Sequence, residues 1–220
     1  MSEDMILATH LTGISNCPHC GVANPTLQNL WTSDKEIPRG DGGETFKWAV
    51  FTCTTCSFLV VASAKLRSYK GGNSWMIQEV YPEPKQAHED IPQIARAFLQ
   101  QAFDTLHAPD AAGVMAGSAV DAMLKERGYI EGSLYSRIDQ ALNDHVLTQG
   151  MADWAHSVRL GSNRPRHADA DRPHLTPEEA EQSVEFAEAL GDFLFVLTAQ
   201  ITRGIEAGAS MADEGENEVG

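Results

Sequence analysis

The sequence has few positive charges and no long apolar run. It contains 16 lysines and arginines against 31 aspartates and glutamates, a formal net charge of −15 over 220 residues. This imbalance argues against broad, non-specific nucleic-acid binding, which depends on neutralising phosphates with basic side chains. No segment approaches the roughly 18 consecutive apolar residues of a membrane-spanning helix, and the acidic start MSEDMILATH lacks the positive charge of a signal peptide. We therefore expect a cytoplasmic protein with no membrane contact.

Cysteine is also scarce, and all four cysteines fall into two pairs. Cys17 and Cys20 form one CxxC motif, and Cys53 and Cys56 form the other. Four thiolates complete a tetrahedral shell around Zn²⁺ with no position left for water, so the sequence predicts a structural zinc site. The alternatives are disulfides, which a reduced cytoplasm disfavours, and a redox dithiol, which would need a single CxxC in a βαβ setting.

The segments around the cysteine pairs are rich in aromatic and β-branched residues, which favours β-strands. The predicted strands are 27–33, 45–52, 57–64 and 75–81. The polar stretch DKEIPRGDGGE between the first two has one proline and three glycines, which is typical of a loop. Two cysteine knuckles with an antiparallel sheet form the pattern of a zinc ribbon, and we assign it to residues 1–80.

From residue 81 onward the pattern is helical. Pro82 and Pro84 indicate a linker that cannot be helical throughout. Apolar residues then recur at helical spacing, and the predicted helices are 90–107, 109–127, 133–147, 150–160 and 176–207. The second is crowded with small residues, which suits close helix–helix approach. The predicted fold class is α+β, with a four- to five-helix bundle in 81–207 and a disordered acidic tail in 208–220.

One polar cluster lies in the loop that we predict between the last two helices. The segment from Arg159 to His167 contains three arginines, one asparagine and one histidine, with no acidic residue. Arginine can bind phosphate through two parallel hydrogen bonds, and histidine can transfer protons at neutral pH. The candidate nucleotide- or RNA-binding residues are Arg159, Asn163, Arg164 and Arg166, and the candidate catalytic residues are Arg159 and His167. In the alternative interpretation these side chains cap helix ends and satisfy polar groups under the last helix.

Several of these features occur together in one known group of proteins. The twin CxxC pairs, a Tyr-Pro hinge, the small-residue helix, the Arg159-x-x-x-Asn163-x-x-x-His167 run and the TPEEA helix start resemble a bacterial family of uncharacterised domains. That family is grouped with the HEPN superfamily (higher eukaryotes and prokaryotes nucleotide-binding). The resemblance covers the chain to about Arg203 and implies a HEPN-like bundle.

The resemblance also implies a function. Many members of the superfamily are metal-independent endoribonucleases of toxin–antitoxin and other defence systems, and they frequently act as homodimers. It therefore implies RNA or a nucleotide as ligand, a partner protein of a defence or toxin system, and a homodimer. Seven residues separate Arg159 from His167, which is wider than the ribonuclease motif of the superfamily. We therefore expect a non-catalytic nucleotide- or RNA-binding module. An endoribonuclease is the first alternative, and a pure protein-interaction subunit is the second.

Overall fold

The computed structural model describes residues 5–167 and 171–217, with side chains described as far as residue 209. The chain divides into two compact units, Met1–Lys85 and Gln86–Gly220. The first consists of β-strands and the second of helices, so the predicted α+β fold class is confirmed. Among the described residues, no helix is both long enough and apolar enough to span a membrane.

The N-terminal unit is one antiparallel sheet whose strands lie side by side in chain order. They are β1 (His10–Leu11), β2 (Leu27–Thr32), β3 (Lys47–Cys53), β4 (Leu59–Tyr69) and β5 (Gly72–Tyr81). The sequence missed the two-residue β1 and the far ends of β4 and β5, which are polar. Those ends form a hairpin that turns at Lys70 and Gly71, both with positive φ, as a tight hairpin turn requires.

One side of this sheet forms the core of the unit. Strand side chains alternate between the two faces, and Leu27, Phe51 and Val60 are fully buried on the inner side. The second cysteine pair begins where β3 ends, because Cys53 is the last residue of β3 and pairs in register with Leu27. Cys17 of the first pair belongs to the same core cluster. The sheet therefore holds the two knuckles close together.

The C-terminal unit is a bundle of helices. They are α1 (Gln93–Asp104), α2 (Pro109–Glu126), α3 (Leu134–Asn143), α4 (Gln149–His167), α5 (Pro177–Gly191) and α6 (Leu197–Asn217), with a π turn at Asp192–Val196 joining the last two. The first helix was predicted to begin at residue 90 but begins at Gln93, and Asp90 pairs with Arg203 at 2.8 Å. Helical backbone extends into the tail that was predicted to be disordered, while 218–220 lie outside the described residues.

The largest difference from the sequence prediction concerns the end of α4. The prediction was a helix to about Leu160 followed by a loop, whereas α4 continues through Pro165 to His167. Gly161 and Ser162 are buried in this extra segment, and α4 packs on α2. Tertiary packing therefore outweighs the poor helix propensity of this stretch. The polar cluster consequently lies on a helix and not in a loop.

The small residues of α2 explain how that packing is achieved. A Cβ atom added to Gly117 would lie 2.6 Å from Oγ of Ser162 in α4, and one added to Gly113 would lie 2.7 Å from Cδ2 of Leu175. Real Cβ atoms do not approach so closely, so a side chain at either position would have to displace Ser162 or Leu175. This agrees with the close helix approach that the composition of α2 predicted.

Candidate functional site

The four cysteines form a compact cluster in the N-terminal unit. Their sulfur atoms all lie within 4.8 Å of one another, and Sγ of Cys17 is 3.9 Å from Sγ of Cys56. Each pair sits in a tight turn. In the first turn the amide of Gly21 donates to the carbonyl of Cys17 at 2.9 Å, and in the second the amide of Ser57 donates to the carbonyl of Cys53 at 2.8 Å. The predicted ligands are therefore close enough to hold one metal ion.

Backbone amides also act on the sulfur atoms. Burial raises the pKa of the Cys53 thiol, but hydrogen bonds from the amides of Cys56 and Thr55 and from the thiols of Cys17 and Cys56 together outweigh it, and the pKa is about 7. For Cys20, burial outweighs the amide of Val22 and raises the pKa to about 12. A divalent cation among the four sulfurs would favour the thiolate form of each. Four sulfur donors at these distances fit a tetrahedral metal ion.

The helical unit contains a cleft of about 650 Å³ between α1, α2, α3 and α4. We call it the arginine cleft. Its lining comprises Ile94, Phe98, Gly117, Ser118, Asp121, Ala122, Lys125, Glu126, Ser133, Leu134, Tyr135, Arg137, Arg159, Asn163 and Arg166. Three predicted binding residues, Arg159, Asn163 and Arg166, are therefore brought together. Their spacing of four and three residues places them on one face of α4.

The other two predicted residues lie elsewhere. Arg164 and His167 line a second cavity of about 550 Å³, which Asn163 also borders. Within the described part of one chain, Arg159 and His167 share neither cavity. Arg164 also differs from Arg159 in having an acid partner, because its guanidinium is 3.0 Å from Glu179.

Arg159 has an unusual environment for a partly buried arginine. Its Cζ lies 5.3 Å from the centroid of the Tyr135 ring, which is a cation–π distance. Its Nε is buried without a hydrogen-bond partner, and the described residues offer its guanidinium no carboxylate. Arg166 donates from Nη2 to Oγ of Ser118 at 2.9 Å and to the carbonyl of Val114 at 3.3 Å. Both arginines therefore bring uncompensated positive charge to the cleft.

Other arginines of the same unit are paired with acids. Arg137 in the cleft wall is 2.5 Å from Asp121, which also pairs with Lys125 at 2.6 Å, and Arg203 is paired with Asp90. In total the cleft is lined by four basic and two acidic side chains, a formal charge of +2. A locally cationic cleft in a chain of net charge −15 is suited to an anionic ligand.

Sequence reasoning missed several residues of this cleft. Tyr135 lies off the apolar face of α3. An aromatic residue outside the apolar periodicity of a helix indicates a candidate surface site, and this was the signal in the sequence that could have identified Tyr135. Ile94 follows the apolar spacing of the first helix, which predicts a core position, but it is exposed in the cleft wall. Sequence patterns could not place Ser118 in the cleft, because its contact with Arg166 joins residues 48 positions apart.

Comparison with known families concerns the helical unit. The model of a domain of unknown function, DUF4145, matches residues 95–207, which is more than half of the chain. The chain belongs to the DUF4145 family. The DUF4145 match includes the cleft-lining parts of α2, α3 and α4, and the four cysteines lie outside it. No curated protein and no solved structure matches the chain. The description of the DUF4145 family assigns no activity to it, so the function has to be inferred from the site.

Proposed function

We propose that this protein is a non-catalytic nucleotide- or RNA-binding module whose arginine cleft binds a phosphate group. One observation carries the proposal: the guanidinium of Arg159 lines the cleft without a carboxylate partner or hydrogen-bond acceptor among the described residues. A guanidinium without a carboxylate partner keeps its full positive charge, which attracts a phosphate in the cleft. The planar guanidinium also matches phosphate geometry.

Neighbouring side chains support the same ligand. Arg166 lies one helical turn beyond Asn163, and Asn163 lies one turn beyond Arg159, so two charged donors and one amide donor line the same wall. The Oγ of Ser118 accepts from Arg166, which holds that arginine at the cleft. Gly117 and Ala122 keep side chains small there, which leaves room for the ligand.

The first alternative is a metal-independent endoribonuclease that uses Arg159 and His167. RNA cleavage by the 2′-hydroxyl needs a cation on the phosphate and a proton-transfer group near the same phosphate. Since His167 lines the second cavity, it could serve a phosphate on Arg159 only if a second copy of the chain supplied it. This separation favours binding without cleavage.

The cysteine cluster bears on the metal and on the cellular compartment of the protein. We propose that the four cysteines hold Zn²⁺ in a structural role, because four thiolates leave no open position for water or substrate. Clustered thiols that are free of disulfides suit the reducing cytoplasm. The second alternative, a pure protein-interaction subunit, would dock a partner protein through the ribbon and the bundle and would leave the arginine cleft without a phosphate ligand.

We also propose that the protein belongs to the HEPN superfamily, on the resemblance of its sequence motifs. That resemblance further suggests a homodimer and a role in a defence or toxin system. One observation supports the homodimer. Phe193, Leu197, Ile201 and Ile205 recur at four-residue intervals and are all exposed, so they form an apolar stripe from the π turn along α6. Every described side chain from 201 to 209 is exposed, and an equivalent stripe on a second copy would cover this surface.

The experiment that separates the first two functions uses labelled single-stranded RNA. The purified protein and its His167→Ala variant are incubated with the RNA, and bound and cleaved fractions are measured together. The proposal predicts that both proteins bind RNA, or a nucleotide that competes with it, and that neither cleaves it. Cleavage by the wild type that His167→Ala loses would establish the ribonuclease. Failure of RNA, nucleotides and inorganic phosphate to bind would reject the phosphate site.

A further inference from the structure

A row of apolar side chains crosses four strands on the outer side of the sheet. Trp31 of β2 pairs with Val50 of β3, Val50 pairs with Val61 of β4, and Val61 pairs with Tyr81 of β5. Directly paired residues share one side of a sheet. Trp31 and Tyr81, at the two ends, are 51% and 43% exposed. With strands about 4.8 Å apart, these ends are separated by about 14 Å.

Two more rings extend this surface. The ring of Trp48 stacks on that of Tyr81 with 6.3 Å between centroids and 29° between planes, and the ring of Phe46 is 6.3 Å from Trp48. We call these three rings, together with Trp31 and the two valines, the outer aromatic face. The unit's core lies on the opposite side of the sheet, so folding of the sheet does not account for this cluster of rings.

Charge on the outer aromatic face is low and internally compensated. Glu79 accepts a hydrogen bond from the hydroxyl of Tyr81. Lys65, above the ring of Phe46, is paired with Glu44. A surface that binds a nucleic-acid strand combines aromatic rings with a continuous basic groove, and the described residues beside these rings form no such groove. The low charge therefore favours an uncharged partner.

The same face carries two hydrogen-bond donors that are not used. The described residues give no acceptor to the indole N–H groups of Trp31 and Trp48. A partner that supplies carbonyl oxygens and needs few donors in return would complement this surface.

We propose that the outer aromatic face binds a proline-rich, uncharged segment of a partner protein in the polyproline II conformation. Such a segment has carbonyl groups free of internal hydrogen bonds, and each proline lacks an N–H. Its flat rings pack on exposed aromatic side chains, and its rigidity lowers the entropy lost on binding. At about 3.1 Å per residue, the 14 Å between Trp31 and Tyr81 corresponds to about five residues. This site is separate from the arginine cleft and does not depend on it.

The test uses the full chain and labelled decaproline, with a panel of uncharged proline-rich peptides, in fluorescence anisotropy. The variants are Trp31→Ala, Tyr81→Ala and the double variant. Trp31→Phe keeps a ring but removes the indole N–H, and Trp154→Ala removes a ring of similar exposure in the helical unit. We expect saturable binding that weakens about tenfold or more in the double variant. Trp31→Phe should weaken binding less than Trp31→Ala, and Trp154→Ala should stay near wild type. Unchanged thermal unfolding of the alanine variants shows that the fold is intact.

Three results would overturn the proposal. The first is the absence of saturable binding to every peptide of the panel. The second is wild-type affinity in the double variant. The third is displacement of the peptide by oligouridine to the same extent in the wild type and in Arg159→Gln. Such competition would not depend on the arginine cleft, so it would show that the outer aromatic face stacks nucleobases. Loss of RNA binding in Arg159→Gln with peptide binding unchanged would reflect only on the cleft.

Discussion

The guanidinium of Arg159 lies over the ring of Tyr135, with 5.3 Å between Cζ and the ring centroid. The two residues belong to α4 and α3. His156 supports the arrangement, because its ring lies 4.8 Å from that of Tyr135 and its Nε2 is 3.0 Å from Asp139. A ring attracts a cation without neutralising it. The arginine is therefore positioned at the cleft while its charge remains available to a ligand.

The contact between α2 and α4 that shapes this cleft can be tested at Gly117. Gly117→Ala places a Cβ 2.6 Å from Oγ and 2.7 Å from Cβ of Ser162. We expect a loss of about 1–3 kcal/mol in the free energy of unfolding from overpacking, partly offset by about 1 kcal/mol of helix propensity. Ser162→Gly removes both clashing atoms and should restore most of the loss in the double variant. Urea unfolding measures each value.

The matched control for that series is Gly150→Ala. An added Cβ at Gly150 meets nothing within 4 Å, so its substitution should not destabilise the protein. Two outcomes would contradict the packing that holds the polar cluster on α4. The first is a Gly117→Ala variant as stable as wild type, and the second is a Gly117→Ala variant whose stability Ser162→Gly does not restore.

Metal analysis tests the cysteine cluster. We expect one zinc ion per chain in the purified protein and none in Cys53→Ser. Chelation should make the N-terminal unit sensitive to limited proteolysis, because binding energy of a structural zinc is folding energy. The helical unit lies outside the cluster and should keep its helical circular dichroism. A metal other than zinc, or a chelated protein as resistant as the untreated one, would contradict this assignment.

A pH dependence is expected from Asp110 near the start of α2. The amide of Leu175 and then the imidazole of His174 hold its pKa below the ordinary value, at distances of 2.7 Å and 2.6 Å. A lowered pKa contributes stability above the unfolded value of about 3.9, and that stability is lost as pH falls through the folded pKa. Asp110→Asn should therefore cost about 1 kcal/mol or less at neutral pH, because the carboxylate is partly exposed.

The measurement is urea unfolding at several pH values. The curves of wild type and Asp110→Asn should converge in acid. Asp153→Asn is the control, since among the described residues the carboxylate of Asp153 accepts only from the side chain of Gln149. A constant difference between wild type and Asp110→Asn at every pH would show that the contact is not ionic.

The apolar stripe on α6 predicts the oligomeric state. Ile201→Glu places a charge within the stripe, and we expect it to convert a dimer into a monomer in sedimentation equilibrium, because an unpaired charge is costly in an apolar interface. Thr202→Glu adds the same charge beside the stripe and should leave the dimer intact. A wild type that is monomeric at every concentration, or an Ile201→Glu dimer of unchanged affinity, would remove this surface from the account.

Local signals account for the features that the sequence predicted well. The CxxC spacing alone identified four cysteines that the fold brings within 4.8 Å. Apolar periodicity located the helices, and the Thr176 capping box marked the start of α5, where the side chains of Thr176 and Glu179 cap each other's backbone amides.

The features that the sequence did not predict depend on contacts between distant residues. The stretch from Gly161 to His167 contains glycine, serine and proline and reads locally as a loop. It is helical because Ser162 meets Gly117, a residue 45 positions earlier. The same geometry separates His167 from Arg159, which no pattern of spacing could show. Tyr135 and Ser118 also line the cleft because of packing between helices that are distant in sequence.

The most direct test of the arginine cleft compares Arg159→Gln with Arg96→Gln in equilibrium binding of labelled single-stranded RNA over a range of salt concentrations. Both changes remove one positive charge from the helical unit, but Arg96 donates to the carbonyl of Glu89 and does not line the cleft. We expect Arg159→Gln to weaken binding about tenfold or more and to reduce the salt slope by about one, while Arg96→Gln stays close to wild type. Equal affinities for the two variants would contradict the assignment of the phosphate site to Arg159.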